Sequence, residues 1–246
     1  MLLKIIKLLC KVITLPNVSS PQFLASVTCL NEAQLVLDAN VDIIDLKNPA
    51  EGALGALPLK TIEEIVKLID KRKLVSATIG DLVMDPLLIE PAVQAISETG
   101  VDIVKVGFFG NENHVACALS LKKHILHGTK VVAVLFADQH PNFDFMDDLK
   151  AAGFYGAMLD TADKSSGGLL NHLSLDALSA FTQKAKSLNL LSGLAGSLTL
   201  NDISMLNKCY PDYLGFRGAL CDSLNRRSEM AINQVLNIKD TLLLSF

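Results

Sequence analysis

From residue 22 onward, short runs of β-forming residues alternate with longer segments in which apolar residues recur at helical spacing. This alternation restricts the fold more than any other feature, because parallel strands are joined by crossovers that are usually helical. We count eight runs, each followed by a segment of helical period. The predicted strands cover residues 23–28, 43–47, 74–79, 103–106, 131–135, 156–159, 191–195 and 213–216.

The eight units fill residues 22–246 without a visible linker. This favours a single (β/α)8 barrel domain, a TIM barrel of the α/β class, over a doubly wound open sheet. Asp-containing turns at 40–42, 100–102 and 211–212 precede three of the strands. We interpret them as a repeated helix-to-strand connection at the bottom of the barrel.

Some predicted helices carry a recognisable start signal. Asn31, Thr61 and Ser174 are suitable N-caps, and Pro86 suits a first helical turn. The helices are predicted to begin near Asn31, Thr61, Pro86, Glu112, Phe143, Ser174, Thr199 and Arg227.

Residues 1–21 are predicted to form an N-terminal extension. Lys4, Lys7 and Lys11 recur at helical spacing, which predicts an amphipathic helix docked on the protein or on a neighbouring subunit. A membrane-surface anchor is the alternative. The lysines interrupt the apolar run, which argues against a signal peptide, and no apolar stretch reaches the ~18 residues that span a bilayer.

The composition excludes several classes of protein. Hydrophobic residues make up 50% of the chain, too many for a disordered protein, and the net charge of −4 is too balanced for a general nucleic-acid partner. The five cysteines are widely spaced, so a disulfide framework is not predicted and a cytoplasmic location is expected. Small molecules and further copies of the chain, as a homo-oligomer, are the expected partners.

Charged residues end three otherwise apolar predicted strands. Lys47 ends the second strand, Lys105 lies in the fourth, and Asp160 follows the sixth. Since active sites of such barrels lie at the C-terminal ends of the strands, and even-numbered strands contribute to one layer, we expect these side chains to converge. Asp45 shares a strand face with Lys47. Lys164, in the loop after the sixth strand, either reaches the same mouth or is an exposed loop lysine.

A partly desolvated lysine beside a second cation has a lowered pKa, because both effects disfavour its charged form. Its amine can then form a Schiff base with a carbonyl substrate. A neighbouring carboxylate, from Asp160 or Asp45, can move protons as the adduct loses water. The strand ends therefore predict amine-dependent chemistry on a carbonyl compound.

Two glycine-containing segments predict a phosphate site. Residues 193–197 follow the seventh strand and residues 215–219 the eighth, where barrels frequently bind phosphate. Gly196, Ser197 and Gly218 would offer backbone N–H groups to an anion. Arg217 either contacts the phosphate in a bidentate manner or pairs with a carboxylate of its own barrel.

No metal or nucleotide site is predicted. His124 and His127 lie three residues apart on a predicted helix beside two lysines, which is typical of a solvated helix face rather than a metal site. The sequence contains no HExxH, Walker A or GxGxxG pattern.

Several longer motifs resemble those of one enzyme family. They are DIIDLKNP (42–49), EGALGA (51–56), SATIGD (76–81), KVG (105–107), AD (137–138), MLDTA (158–162), LAGS (194–197) and RGA (217–219). Together, over residues 23–230, they resemble the (5-formylfuran-3-yl)methyl phosphate synthases of methanofuran biosynthesis.

This resemblance implies a cofactor-free, class I aldolase-like carbon–oxygen lyase. Such an enzyme joins two molecules of glyceraldehyde 3-phosphate, releases phosphate and water, and forms a furan aldehyde phosphate. The resemblance places the Schiff-base lysine at Lys47, the second strand lysine at Lys105, the strand-six aspartate at Asp160 and the loop lysine at Lys164.

Two other readings stay open at this level. One is a different Schiff-base aldolase or a triose-phosphate isomerase-type barrel. Of these two, the isomerase would be expected to use a glutamate base. The other is a non-catalytic barrel that binds a phosphorylated metabolite.

Overall fold

Eight parallel strands close into a barrel in the order in which they occur along the chain, which confirms the predicted fold. The computed structural model describes residues 20–110 and 112–244, so the helix predicted around Lys4, Lys7 and Lys11 lies outside the described residues. The strand ends differ from the predicted ones by one or two residues at most. The strands are β1 (Gln22–Val27), β2 (Ile43–Leu46), β3 (Leu74–Thr78), β4 (Ile103–Phe108), β5 (Val131–Phe136), β6 (Gly156–Asp160), β7 (Leu191–Leu194) and β8 (Tyr213–Phe216).

Helices connect the strands on the outside of the barrel. In chain order they are α1 (Leu30–Asp38), α2 (Leu59–Ile69), α3 (Pro86–Glu98), α4 (His114–Ser120), α5 (Lys122–Leu126), α6 (Phe145–Ala152), α7 (Leu169–His172), α8 (Leu175–Ser187), α9 (Ile203–Leu206) and α10 (Ile232–Leu244).

The helix start signals were only partly informative. Ser174 caps α8 by accepting a hydrogen bond from the Ala177 N–H at 3.2 Å, and Pro86 lies in the first turn of α3, as predicted. The caps predicted at Asn31 and Thr61 are wrong, because α1 and α2 begin before these residues.

The last helix begins at Ile232 rather than near Arg227. Cys221 and Met230 form an antiparallel bridge, and the Ala231 N–H donates to the Leu220 carbonyl at 2.9 Å. These contacts close a loop between β8 and α10, here called the 222–229 loop, and prevent the helix from starting earlier.

The strands separate two apolar layers because their side chains alternate between the two faces of the sheet. Ile44 and Leu46 of β2 are fully buried in the outer layer with the helix residues. Ile43 of the same strand belongs to the inner cluster, together with Leu24, Ile103, Val132, Val134 and Met158. The charged inward-facing residues Asp45, Lys47 and Lys105 lie toward the upper end of the barrel, beyond Ile43 and Ile103 of the inner cluster.

Aspartates at the bottom of the barrel join neighbouring strands. The Asp42 carboxylate accepts a hydrogen bond from the Phe23 N–H at 2.9 Å, and its own N–H donates to the Phe23 carbonyl. Asp102 makes the same two contacts with Val75, and Asp212 makes them with Ser192. The three predicted turns thus repeat the same pair of hydrogen bonds between an aspartate and the neighbouring strand.

Candidate active site

A cavity of about 240 Å³ opens at the C-terminal ends of the strands. Because β2, β4 and β6 end here, the charged side chains at their ends meet around one space. All nine residues singled out in the sequence line this cavity: Asp45, Lys47, Lys105, Asp160, Lys164, Gly196, Ser197, Arg217 and Gly218.

The deeper of two charged clusters is the ion pair between Lys105 of β4 and Asp45 of β2. Their Nζ and Oδ1 atoms are 2.7 Å apart, and the side chains are only 2% and 0% exposed. Ser26 of β1 and Ser76 of β3 donate hydroxyl hydrogen bonds to the two Asp45 oxygens, at 2.8 and 2.7 Å. Three strands therefore hold Asp45 in a fixed position beneath the cavity.

The surroundings of the Lys105–Asp45 pair shift the pKa values of both groups. Burial alone would raise the pKa of Asp45, but the ammonium groups of Lys105 and Lys47 hold that pKa below its ordinary value. Burial lowers the pKa of Lys105, and the attraction of Asp45 only partly opposes this effect. Asp45 thus stays ionised, while Lys105 releases its proton more readily than an exposed lysine.

A second charged cluster lies closer to the opening of the cavity than the first. Lys47 follows Asp45 by two residues, directly after β2, so its side chain leaves the same face of the strand one step higher. The Lys47 Nζ is 3.3 Å from Asp160 Oδ2, and the Lys164 Nζ contacts the other oxygen, Oδ1. Lys164 also donates to the Thr161 hydroxyl at 2.9 Å. Asp160 therefore bridges the two amines.

The carboxylate of this cluster is strongly acidic. Burial would raise the pKa of Asp160, but the charges of Lys164 and Lys47 and the Thr161 N–H, 2.8 Å away, lower it well below the ordinary value. Burial lowers the pKa of Lys164 against the attraction of Asp160, and the Lys47 charge lowers it further. Lys164 is thus the partner in this cluster that is suited to accept and return a proton.

Two aspartates fix the loops around the charged clusters. Asp138 accepts hydrogen bonds from the N–H groups of Ala162 and Asp163, at 2.8 and 2.7 Å, in the loop that carries Lys164. Asp81 accepts from the N–H groups of Ala53 and Leu54, both at 2.7 Å, in the loop after Lys47. Both belong to the motifs quoted above, and both act on loop backbone rather than in the cavity.

The loops after β7 and β8 form the opposite wall of the cavity. Gly196 has a φ of 110°, and a Cβ there would lie 3.2 Å from the Thr161 nitrogen, so glycine is required next to the end of β6. Among the described residues, no acceptor lies within hydrogen-bonding distance of the backbone N–H groups of Gly196, Ser197, Gly218 and Ala219. These groups, here called the amide wall, are available to an anion.

Arg217 lines the cavity, but its guanidinium is already engaged. Its two terminal nitrogens donate to both oxygens of Glu32 in α1, at 2.6 and 3.0 Å. Its Nε donates to the Arg226 carbonyl at 2.9 Å, and Nη1 also lies 3.2 Å from the Ser26 carbonyl. Of the two roles the sequence allowed, the structure shows pairing with a barrel carboxylate.

Several residues around the site were not found from the sequence. Ser26 and Ser76 carry a usable signal, because each is a polar residue at an inward position of a predicted strand. Glu32 and Arg226 carry none, since a charged residue in a helix or loop is normally solvated. Their roles depend on contacts between elements far apart in the chain.

Within 20–110 and 112–244, no three His, Cys, Asp or Glu side chains converge in a way that would hold a metal ion. In the same part of the chain, no helix combines the length and apolar character needed to cross a bilayer. His124 lies 3.2 Å from Glu90, so its contact is with a neighbouring helix.

The arrangement supports covalent chemistry on a carbonyl compound that carries an anionic group. A buried amine, a carboxylate that links it to a second amine, and a wall of unengaged N–H groups surround one cavity. Nucleophile, proton carrier and anion-binding elements are the parts that such a reaction needs.

The barrel is similar to those of several solved enzymes. A 3-hexulose-6-phosphate synthase from Salmonella typhimurium has a TM-score of 0.68 at 17% identity, covering 92% of this chain and all of the other. A phosphoribosyl anthranilate isomerase from Thermotoga maritima has a TM-score of 0.65 at 10% identity, covering 91% and 98%. At these identities the likeness concerns the fold alone.

Sequence relatives are more specific. A Methylorubrum extorquens protein assigned as a (5-formylfuran-3-yl)methyl phosphate synthase is 41% identical over 210 residues, covering 85% of this chain and 86% of that protein. The (5-formylfuran-3-yl)methyl phosphate synthase of Methanococcus aeolicus is 34% identical over 220 residues, covering 84% and 92%. The model of the family described as 4-HFC-P synthase matches residues 23–239. The chain therefore belongs to the 4-HFC-P synthase family.

Proposed function

We propose that the protein condenses two molecules of glyceraldehyde 3-phosphate into (5-formylfuran-3-yl)methyl phosphate, as a lyase of methanofuran biosynthesis. Two C3 substrates supply the six carbons of the product, and the atoms balance when one phosphate and two water molecules leave. The membership of the chain in the family supports this reaction.

The observation that carries the proposal is the contact of Lys47 with Asp160 and, through it, with Lys164. The amine at Lys47 attacks the carbonyl carbon of one triose phosphate, and the carbinolamine loses water to give an imine. An imine acidifies the neighbouring carbon, whose deprotonation yields an enamine that attacks the second aldehyde. Each of these steps moves a proton, which Lys164 can accept and return while the Asp160 carboxylate holds it beside Lys47.

Lys105 serves a different step from Lys47 in this proposal. Its pKa is lowered by burial and it is held by Asp45, so it is a proton donor or acceptor beneath the reacting carbons rather than the nucleophile. Elimination of phosphate and water from the condensed chain requires such a group at a second position. The amide wall binds the phosphate of a substrate on the side of β7 and β8.

The first experiment is incubation of the purified protein with glyceraldehyde 3-phosphate alone, followed by ultraviolet absorbance and mass analysis. We expect a conjugated furan aldehyde phosphate and free phosphate in equal amounts. Interconversion of trioses without a new carbon skeleton would instead favour an isomerase, although no glutamate is found among the described residues that line the cavity.

The second experiment traps the intermediate with borohydride. With substrate present, we expect a triose phosphate adduct on the peptide that contains Lys47 and none on the peptide that contains Lys105. Lys47→Ala is expected to fold but to lose both adduct and turnover. A fully active Lys47→Ala enzyme would exclude the imine, and labelling of Lys105 would exchange the roles of the two lysines.

A further inference from the structure

Two arginines line the cavity near β8, and they differ in how many of their donors are used. Arg217 donates through Nε and both terminal nitrogens to Glu32 and to backbone carbonyls. Arg226, at the tip of the 222–229 loop, donates to the Gly52 carbonyl from Nη2 at 2.7 Å. Among the described residues, this is the one hydrogen bond of the Arg226 guanidinium.

Arg226 is also without a carboxylate partner. No Asp or Glu oxygen of the described chain lies within 4.0 Å of its nitrogens. The side chain is half-buried and lines the cavity. The unused donors of a half-buried guanidinium that lines a cavity are available to a ligand anion.

The 222–229 loop holds Arg226 in place from two sides. The bridge between Cys221 and Met230 closes the base of the loop, and the Asp222 N–H donates to the Glu229 carbonyl at 3.1 Å. Arg217 donates to the carbonyl of Arg226 itself at 2.9 Å. Arg217 is therefore a positioning residue for the loop that carries Arg226.

The contact with Gly52 places the Arg226 guanidinium on the β2 side of the mouth. Gly52 belongs to the loop after β2, whereas the amide wall belongs to the loops after β7 and β8. Two anion-binding elements thus flank the mouth, with the amines of Lys47 and Lys164 in the same cavity.

We propose that Arg226 forms a second phosphate subsite, which binds the phosphate of the triose that does not form the imine. This inference rests on the proposed function, because a reaction of two triose phosphates brings two phosphate groups into one cavity. The planar guanidinium fork matches the oxygens of a phosphate monoester. The amide wall then binds the phosphate of the triose attached to Lys47.

The test separates imine formation from condensation. In Arg226→Gln, we expect borohydride to trap the first triose on Lys47 within twofold of the wild-type level. Furan formation should have a KM for glyceraldehyde 3-phosphate raised about 10- to 100-fold, the effect of losing a charged hydrogen-bonding group. The control is Arg227→Gln, an exposed neighbour, which should change neither quantity by more than twofold.

Arg226→Lys distinguishes binding from a structural role. Lysine can still donate to the Gly52 carbonyl, so a purely structural role would be fully restored. A phosphate-binding role would be only partly restored, because lysine lacks the guanidinium fork. Full recovery of KM in Arg226→Lys would therefore overturn the proposal, as would a normal KM in Arg226→Gln.

Two further outcomes are informative. If Arg226→Gln loses adduct and turnover to the same extent, Arg226 serves the first triose and the assignment to the second is wrong. If the wild type forms no furan, the proposed function fails, but inorganic phosphate can still be titrated while the melting temperature is followed. If phosphate raises the melting temperature less in Arg226→Gln than in Arg227→Gln, Arg226 still belongs to an anion site. Equal rises in the two variants would show that Arg226 does not bind phosphate.

Discussion

The two ends of the barrel both depend on aspartates, and β2 shows the contrast within four residues. Asp42, before the strand, accepts a hydrogen bond from the Phe23 N–H and is partly exposed. Asp45, inside the strand, is fully buried and pairs with the Lys105 ammonium. The same residue type joins strands at one end and holds a reactive cation at the other, so the partner determines the role.

The difference is one of electrostatic cost. A carboxylate at the bottom keeps water on one side and receives backbone N–H groups that would otherwise be unpaired. The top places several charges where each is 20% exposed or less, and buried ion pairs seldom gain stability over apolar packing. Such an arrangement is typical of a catalytic centre, where shifted pKa values serve the reaction.

The largest expected effect comes from removing the charge that bridges two amines. Asp160→Asn should lower kcat/KM about a thousandfold, because the charge that holds the proton carrier Lys164 beside Lys47 is lost. Steady-state kinetics with glyceraldehyde 3-phosphate measures the loss, and circular dichroism at the assay temperature establishes that the variant is folded.

The matched control for this change is Asp163→Asn, on the same loop but exposed. It should keep kcat/KM within a few fold. A folded Asp160→Asn enzyme with normal turnover would mean that the buried carboxylate at the top is structural, and the contrast between the two ends would disappear.

A change at the bottom of the barrel is expected to have a smaller effect, and to lower stability without lowering activity. Asp212→Ala removes the acceptor of the Ser192 N–H and hydroxyl, at 2.6 and 2.7 Å. The free energy of unfolding should fall by about 1–3 kcal/mol, the cost of leaving such donors unpaired. Urea unfolding measures this change, and kcat/KM should stay within twofold because the cavity lies at the other end.

Asp212→Asn sharpens the same comparison. Both Ser192 donors bond to one oxygen, Oδ2, which an amide oxygen can replace as acceptor, so the loss of stability should be smaller than for alanine. If the folded alanine variant loses activity, the bottom of the barrel is coupled to the site, and the separation of roles is wrong.

The smallest expected effect is in the pH dependence of stability. The pKa of Asp160 is lowered in the folded protein, so its carboxylate stabilises the fold at pH values above the pKa of an unfolded aspartate, about 3.9. This contribution is lost as the pH falls through the folded pKa. We expect the free energy of unfolding of Asp160→Asn to fall less steeply below pH 4 than that of the wild type, as measured by urea unfolding. Parallel curves would show that Asp160 does not contribute to acid unfolding.

The fold and the centre of the site were predictable because both follow from periodicity. Strands and helices of regular period fix the barrel, and a barrel fixes where strand ends meet. Lys47, Lys105 and Asp160 could therefore be expected in one place from their positions in the even strands. Their pairing could not, because it depends on side-chain reach and on the serines that hold Asp45.

The surroundings of the site were not predictable for a different reason. For Arg217 the sequence left a phosphate contact and a pair with a barrel carboxylate open, because its partner Glu32 lies at the other end of the chain. The 222–229 loop has no regular period, so the sequence predicted a helix start near Arg227 instead. Contacts between residues that only the closed barrel brings together cannot be predicted from a local sequence pattern.

The pairing of Glu32 with Arg217 makes the finished site depend on closure of the barrel. The two residues are 185 positions apart, whereas Lys47 and Asp160 are 113 apart. The Glu32–Arg217 contact also requires β1 and β8 to be neighbours, because Glu32 follows β1 and Arg217 follows β8. An intermediate that has not yet joined β1 to β8 would contain the reactive amines but would lack the anchored 222–229 loop. Catalytic competence would then appear only when the ring of strands is complete, so the first turnover in a refolding experiment marks the moment of closure.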